Sequence, residues 1–341
     1  MNDARDNSRL AARRRVLRAF GAGALCACPA IGHAKQLLPF FGRNSRRPLR
    51  MVVPFAAGGT TDIIARILAA YLPAYLDQPV IVENRAGAGG DIGVSSVARA
   101  EPDGGTLLLV SSSFVTRPAI ARERAAYDPI RDFAPVSLVV SSPDVIAVRA
   151  DSRLSTLQDL LREAGDPPGA FTYATPGNGN SVHLAAELLW RSAGAQALHV
   201  PYPGAAPALM AALGGQVGCA FAALPAAKAY LADGRLRALA LGGADRWTEF
   251  PGVPTIAESG FPGFRSETMQ ALFAPAGTPQ ALLDRFNQAI VEALERNPVR
   301  RQLQELGFRR VASSQAELAA RVAEEVPKWA SIALLAGIPA D

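Results

Sequence analysis

The sequence predicts an α/β fold made of two doubly wound lobes with a cleft between them. Short apolar runs alternate with amphipathic helical patterns, the alternation restarts near the middle of the chain, and an extended segment then crosses back. Strands that alternate with helices form sheets covered by helices on both faces, and we expect these sheets to be parallel. The 341 residues, 49% of them hydrophobic, are enough for two such cores.

The first cycle begins at Leu49. Apolar runs bounded by turn residues predict strands, and apolar residues spaced for one helix face predict helices. The predicted elements are strand 49–53, helix 60–76, strand 80–82, helix 91–99 and strand 106–110, followed by extended segments at 135–140 and 145–148.

The second cycle begins at Phe171. Before it, Ser155-Thr156-Leu157-Gln158 has the spacing of a capping box, which predicts a helix through Ala164. The cycle itself consists of strand 171–174, helix 181–193, strand 197–200, helix 205–213, strand 217–221, helix 226–232 and strand 236–241.

An extended segment at 269–275 then crosses back towards the first cycle. Thr278-Pro279 predicts an N-cap followed by proline at the first helical position, opening a helix to residue 296. Two more helices are predicted at 299–306 and 314–335. Because they follow the crossing, we assign 48–148 plus 269–341 to lobe 1 and 149–268 to lobe 2.

The first 34 residues differ in charge from the rest of the chain. They hold six arginines and two aspartates, a net charge of +4. The whole chain carries +5, so the remainder carries only +1. That balance gives no support for nucleic-acid binding. The arginines at 13–15, the apolar stretch 19–31 and the small residues up to Ala34 have the order of an export signal, cleaved near Ala34. We therefore expect the mature protein in the periplasm.

Two details of export stay open. Adjacent arginines allow the twin-arginine route, and Leu25-Cys26-Ala27-Cys28 loosely matches a lipoprotein cleavage site. The apolar stretch is shorter than the roughly 20 residues of a membrane-spanning helix. Removal of the signal leaves Cys219, so the mature chain is expected to form no internal disulfide.

Two glycine-rich turns lie between a predicted strand and a predicted helix, at 51–62 and 172–181. Each turn presents a helix N-terminus, where unpaired N–H groups and the positive end of the helix dipole bind small anions. The hydroxyls of Thr60, Thr61, Thr175 and Ser181 add donors. Two such turns in different lobes predict a shared anion site, and the alternative is that both are ordinary helix caps.

Motifs of catalysis are absent from the sequence. It contains no metal-binding, P-loop, complete dinucleotide or nucleophile-elbow pattern, so we predict no metal and no cofactor. His183 is open to two interpretations, a residue facing a ligand or a packing or capping residue. His199 and Cys219 lie in apolar strand-like runs and are expected to be core residues.

Six segments together resemble the Bug family, the substrate-binding receptors of tripartite tricarboxylate transporters. The segments are 53–62, 83–90, 102–104, 174–183, 199–202 and 251–255. The resemblance runs from Leu49 to the C-terminus. It implies a Venus flytrap of the periplasmic binding protein type 2 class, without enzymatic activity, that holds a small carboxylic acid between its lobes and works with membrane transport subunits. We expect a monomer.

The resemblance also implies two jaws and a lining. The first jaw comprises Phe55, Ala57, Gly58, Gly59, Thr60, Thr61 and Asp62. The second comprises Thr175, Gly177, Asn178, Gly179, Asn180, Ser181 and His183. The lining is expected from Ser111, Ser112, Ser113, Tyr202 and Ala222.

Two positions depart from the family pattern. Ala222 and Ala223 follow Phe221 where family members often have Asp-Asn, and Arg117 stands where Asn before proline is common. Loss of the carboxylate and gain of a cation favour a plain organic acid over an amino acid.

An exported hydrolase, with Ser111 or Ser181 as nucleophile and His183 as base, is one alternative function. A ligand-sensing receptor in signalling is another.

Overall fold

The computed structural model describes residues 47–338. The predicted export signal at 1–34, including Cys26 and Cys28, lies outside the described residues. In the first cycle the structure has β1 (Leu49–Val53), α1 (Thr60–Tyr71), α2 (Pro73–Leu76), β2 (Val80–Asn84), α3 (Asp91–Ala98), β3 (Thr106–Ser111), α4 (Ser113–Ala121) and β4 (Phe133–Arg149). Short 3-10 turns occur at Ala88–Gly90 and Arg122–Arg124.

The second cycle continues the alternation of strands and helices, and the C-terminal part consists mainly of helices. They contain α5 (Leu157–Gly165), β5 (Thr172–Thr175), α6 (Ser181–Ser192), β6 (Leu198–Pro201), α7 (Ala205–Leu213), β7 (Cys219–Ala223), α8 (Leu224–Ala232), β8 (Leu236–Leu241), β9 (Glu267–Pro275), α9 (Gln280–Glu295), α10 (Asn297–Glu305), β10 (Arg309–Arg310) and α11 (Gln315–Leu335). The mixed α/β architecture confirms the predicted fold class.

The strands lie in the order β2-β1-β3-β9-β4-β7-β5-β6, with β8 and β10 also paired to β4. β1 is parallel to β2 and β3, and β5 is parallel to β6 and β7. The strands at the crossing differ from the expected parallel arrangement, because β9 is antiparallel to both β3 and β4. β4 is likewise antiparallel to β7, β8 and β10.

One continuous strand, β4, joins the two halves of this arrangement. Phe133 to Pro143 pair with β9, whereas Asp144 to Ala147 pair with β7. We call the strands on the β9 side of β4 the first sheet and those on the β7 side the second sheet. The sequence predicted two separate extended segments here. Pro135 and Pro143 did not end the strand, because proline can lie at irregularities of the ladder or where strand partners change.

Each sheet is covered by helices on both faces. Along β3, Leu107 and Leu109 pack on one side with α1 and α9, while Leu108 and Val110 pack on the other with α4 and α11. Successive side chains of a strand point to opposite faces, so an uninterrupted apolar run is buried on both. The second sheet has the same arrangement around the last residues of β4.

Several local predictions differ from the structure. The helix predicted over 60–76 is two helices, since Pro73 has no N–H and begins α2. The capping box that opens α5 is formed by Thr156 and Asp159, not by Ser155 and Gln158. Thr278 does not cap α9, because its hydroxyl donates to the carbonyl of Pro275 and Pro279 takes the N-cap position. Helix α4 was not predicted.

Candidate ligand-binding cleft

The predicted turns meet at one cleft of about 370 Å³. The parallel strands β1, β3 and β5 end at this edge, and each is followed by a helix that begins there: α1, α4 and α6. Ligands of open α/β sheets bind at this edge, outside the carboxyl ends of the strands. The cleft is therefore bordered by helix N-termini from both sheets, an arrangement that favours an anion.

Eleven of the predicted site residues line the cleft. They are Phe55, Gly59, Thr60, Thr61, Ser111, Ser113, Gly177, Asn178, Gly179, Asn180 and Ser181. The remaining eight predicted residues lie outside the lining: Ala57, Gly58, Asp62, Ser112, Thr175, His183, Tyr202 and Ala222. Most of these eight have contacts that explain their position.

Asp62 stabilises the first turn from behind. Its carboxylate is 2% exposed and accepts hydrogen bonds from the amide of Gly58 at 2.8 Å, Nε of Arg66 at 2.9 Å and Nδ2 of Asn84 at 3.0 Å. The bond from Arg66 is the main reason that the pKa of Asp62 lies below its usual value. Gly58 has φ of +83°, which few other residues adopt. These contacts fix the shape of the turn.

The second turn is fixed by Asn180 and His183. Asn180 is the N-cap of α6, because its Oδ1 accepts from the amide of His183 at 2.9 Å while its Nδ2 donates to the carbonyl of Gly177 at 2.9 Å. The amide of Gly179 donates to Nδ1 of His183 at 3.1 Å. Ser181 follows the cap, and the structure shows no partner for its hydroxyl among residues 47–338.

His183 stacks on His199 beneath this turn, with ring centroids 3.7 Å apart. Nε2 of His199 lies 2.7 Å from the hydroxyl of Thr175, which in turn donates to the carbonyl of Gly177. Burial lowers the pKa of His183 to about 3, helped by His199, and lowers that of His199 to about 4. Both imidazoles are therefore neutral at neutral pH, as the acceptor role of Nδ1 in His183 requires.

The serines after β3 have separate roles. Ser112 is buried, and its Oγ accepts from the amide of Met269 at 2.9 Å, which ties the start of α4 to β9. Ser111 and Ser113 face the cleft with their hydroxyls 3.3 Å apart. Tyr202 packs instead against the apolar core of the second sheet, and its amide donates to Thr175. Ala222 is fully buried, whereas Ala223 reaches the lining.

Arg117 lines the cleft, but its charge is matched by a neighbour. Its guanidinium makes two hydrogen bonds to the carboxylate of Asp91, at 2.7 and 2.8 Å. The cation expected at the cleft mouth is therefore part of an ion pair. Within residues 47–338 no group of three or more His, Cys, Asp or Glu side chains could hold a metal ion, and no helix is long and apolar enough to span a membrane.

The floor of the cleft contains polar residues that were not predicted. Ser142 of β4, Thr268 and Gln270 of β9 and Thr116 of α4 line it. Thr268 donates to Asp144 at 2.9 Å, and the hydroxyl of Ser266 also donates to that carboxylate. Burial raises the pKa of Asp144 to about 6. Polar residues inside otherwise apolar strands were the sequence pattern that could have identified this floor.

Comparisons with known proteins agree with the fold. Residues 64–337 match the family model of the tripartite tricarboxylate transporter family receptor. The protein BugT of Bordetella pertussis is 37% identical over 84% of this chain and 88% of its own.

Two solved structures are similar along most of the chain. The periplasmic binding protein BugD has 34% identity and a TM-score of 0.74, covering 86% of this chain and 98% of its own. The R. palustris protein Rpa4515, solved with adipate, has 32% identity and a TM-score of 0.77 over the same shares. The chain thus belongs to the tripartite tricarboxylate transporter receptor family, the Bug receptors, whose members are periplasmic solute-binding proteins.

Proposed function

We propose that this receptor captures a small organic acid in the cleft, with the acid's carboxylate between the first turns of α1 and α6. One observation carries the proposal: two helix N-termini, one from each sheet, border the same cleft together with the hydroxyls of Thr60, Thr61 and Ser181. Unpaired amides and hydroxyls bind a carboxylate without a cationic side chain. The adipate in the similar structure of Rpa4515 is an acid of this class.

The two sheets act in this proposal as the two lobes, 48–148 plus 269–341 and 149–268. The change of partners along β4 at Pro143 and Asp144, and the start of β9 at Glu267, support limits close to these. The mature monomer delivers its ligand in the periplasm to the membrane subunits of a tripartite transporter. The family match supports this partner.

The cleft carries no catalytic step in this proposal. The hydrolase alternative needs His183 as the base for Ser181 or Ser111. Nδ1 of His183 already accepts from Gly179, its ring stacks on His199, and it lies outside the cleft lining. A base has to reach the hydroxyl that it deprotonates, and this imidazole instead supports the turn.

Titration calorimetry and thermal shift on the mature protein test the proposal. The probes are hexanoate, ω-hydroxyhexanoate and adipate, each beside the uncharged amide in which every carboxylate is replaced: hexanamide, ω-hydroxyhexanamide and the diamide adipamide. We expect acids to bind and the matched amides to fail. An acid present at 100 times its Kd should add about 2.7 kcal/mol to the free energy of unfolding. Equal binding of acids and amides, or binding of neither, would contradict a carboxylate receptor.

A further inference from the structure

Three buried polar atoms at the floor of the cleft have no hydrogen-bond partner among residues 47–338. They are Oγ1 of Thr116, Oγ of Ser142 and Oε1 of Gln270, from residues that are 0%, 0% and 1% exposed. All three residues line the cleft. A buried polar atom without a partner is costly, and native proteins usually pair such atoms. Their common position indicates that a ligand supplies the partners.

The strand register brings these groups together. Ser142 lies opposite Thr268 on the neighbouring strand, and Ser111 lies opposite Gln270. Residues two apart on a strand share a face, so these side chains form one polar row across β3, β9 and β4. Thr116 adds a hydroxyl from α4, which follows β3 directly. This polar row is therefore separate from the two glycine-rich turns that present the N-termini of α1 and α6.

The charges around this row do not suit a second carboxylate. Thr268 uses its hydroxyl proton on Asp144, so it offers only a lone pair to the cleft and has a carboxyl group directly behind it. Among residues 47–338, Arg117 is the one arginine or lysine that lines the cleft. It is ion-paired with Asp91. The remaining groups, two hydroxyls and an amide, both donate and accept hydrogen bonds.

We infer that the preferred acid carries, at the end opposite its carboxylate, an uncharged group that both donates and accepts hydrogen bonds, a hydroxyl or a carboxamide, seated on Thr116, Ser142 and Gln270. This inference rests on the proposed function, which places the carboxylate at the helix N-termini. It adds a second requirement for the ligand. A hydroxyl satisfies donors and acceptors together, whereas a carboxylate only accepts and faces Thr268 and Asp144.

Calorimetry with matched acids tests the inference. The three probes share one chain length and differ at the far end: hexanoate, ω-hydroxyhexanoate and adipate, with butanoate, ω-hydroxybutanoate and succinate as a shorter set. In at least one set, we expect the hydroxy acid to bind about tenfold more tightly than the other two. If the diacid or the simple acid binds best in both sets, the inference is overturned while the receptor function stands. If no acid binds, both fail.

Variants test which residues produce the preference for the hydroxy acid. Ser142→Ala and Gln270→Met remove the polar groups with little change of volume, and each should reduce the preference for the hydroxy acid over hexanoate to about twofold or less. Ser181→Ala is the matched control at the other end of the cleft, and it should weaken both acids by the same factor. Melting temperatures show whether each variant folds, and Thr116→Val is the substitute where one does not. A preference that survives all floor variants would overturn the assignment.

Discussion

The amide of Gly179 donates to Nδ1 of His183, four residues along the chain, and the amide of Gly58 donates to the carboxylate of Asp62 over the same spacing. Each cleft turn is thus held by a side chain from the first turn of the helix that follows it. These two amides are already used inside the protein. The amides at the start of α1 and α6 and the neighbouring hydroxyls remain for a ligand.

Two substitutions of His183 test its hydrogen-bond acceptor and its stacked ring separately. His183→Phe keeps a ring against His199 but leaves the amide of Gly179 without an acceptor, so we expect it to cost about 1 to 3 kcal/mol of stability and to weaken acid binding. His183→Asn offers an oxygen near the position of Nδ1. It should retain more affinity than the Phe variant, although it loses packing. Urea unfolding and calorimetry measure both, and equal affinities would contradict the role of the acceptor.

Ser181 and Asn180 are expected to respond differently to truncation. Ser181→Ala should weaken acid binding by about 1.5 to 3 kcal/mol, the range for a hydrogen bond to a charged group, with little change in the unliganded melting temperature. Asn180→Ala should cost about 1 kcal/mol of stability because Asn180 is the cap of α6. Lost stability with unchanged affinity in Ser181→Ala would show that the hydroxyl serves the fold.

Asp62 should matter more for stability than its ion-pair partner. Asp62→Ala leaves the amide of Gly58 without its acceptor and removes one of the two acceptors of Nδ2 of Asn84, the other being the carbonyl of Phe55, and we expect a loss of about 1 to 3 kcal/mol. Arg66→Ala is the control. Its side chain is 57% exposed, so it should cost below about 1 kcal/mol. Denaturant midpoints of the two variants compare the effects, and similar losses would contradict the support of the turn.

Acidification should destabilise the second turn. The pKa values of His183 and His199, about 3 and 4 in the folded protein, lie below the ordinary 6.5, so the unfolded chain binds more protons as pH falls. Their contribution to stability is present above about pH 6.5 and is lost as pH falls through 4 to 3. Each imidazole changes the unfolding free energy by at most about 1.4 kcal/mol per pH unit.

The contribution of Asp144 to stability changes with pH in the opposite direction. Its pKa is raised to about 6, so its contribution is present below pH 3.8 and is lost as pH rises through 6. The two imidazoles should outweigh it. Urea unfolding at pH 7 and pH 4.5 measures the net effect of the three groups on the free energy of unfolding. The variant Asp144→Asn removes the opposing contribution. A wild-type protein that is more stable at pH 4.5 would contradict the assignment.

Acid binding should depend only weakly on salt. Helix amides and hydroxyls supply the donors, and Arg117 is paired with Asp91. Calorimetry with hexanoate at low and high sodium chloride should show a change in Kd of about threefold or less, since fixed dipoles beside a buried ligand are screened less than exposed charges. A much steeper dependence would point to cationic side chains as the main donors.

The sequence predicted the architecture better than the details of the site. Strand and helix periodicity placed most elements within a few residues, and glycine-rich turns after strands identified both sides of the cleft. Which side of each turn a residue faces could not be read from the sequence. Asp62 and His183 lie in the turn motifs, yet both point behind the turns because of bonds to Gly58 and Gly179.

The floor of the cleft was missed for a different reason. Ser142 and Gln270 come together only because β4 and β9 pair across more than a hundred residues of sequence. Local periodicity carries no information about such pairing. Helix α4 was missed because Pro118 lies inside it and three serines precede its apolar residues, a composition typical of a loop.

The pairing of β4 with β9 has a mechanical consequence. β4 runs from the first sheet into the second, and β9 runs antiparallel to it, paired with Phe133 to Pro143 of β4 as a two-stranded ribbon. Any change in the angle between the sheets must bend or twist β4 where it leaves this ribbon, at Pro143 and Asp144, rather than swing a free loop. Ser142, Thr268 and Gln270 lie on the ribbon and face the cleft. A ligand seated on them would contact β4 beside the point that has to bend, so the shape of the ligand would be coupled to the angle between the two sheets.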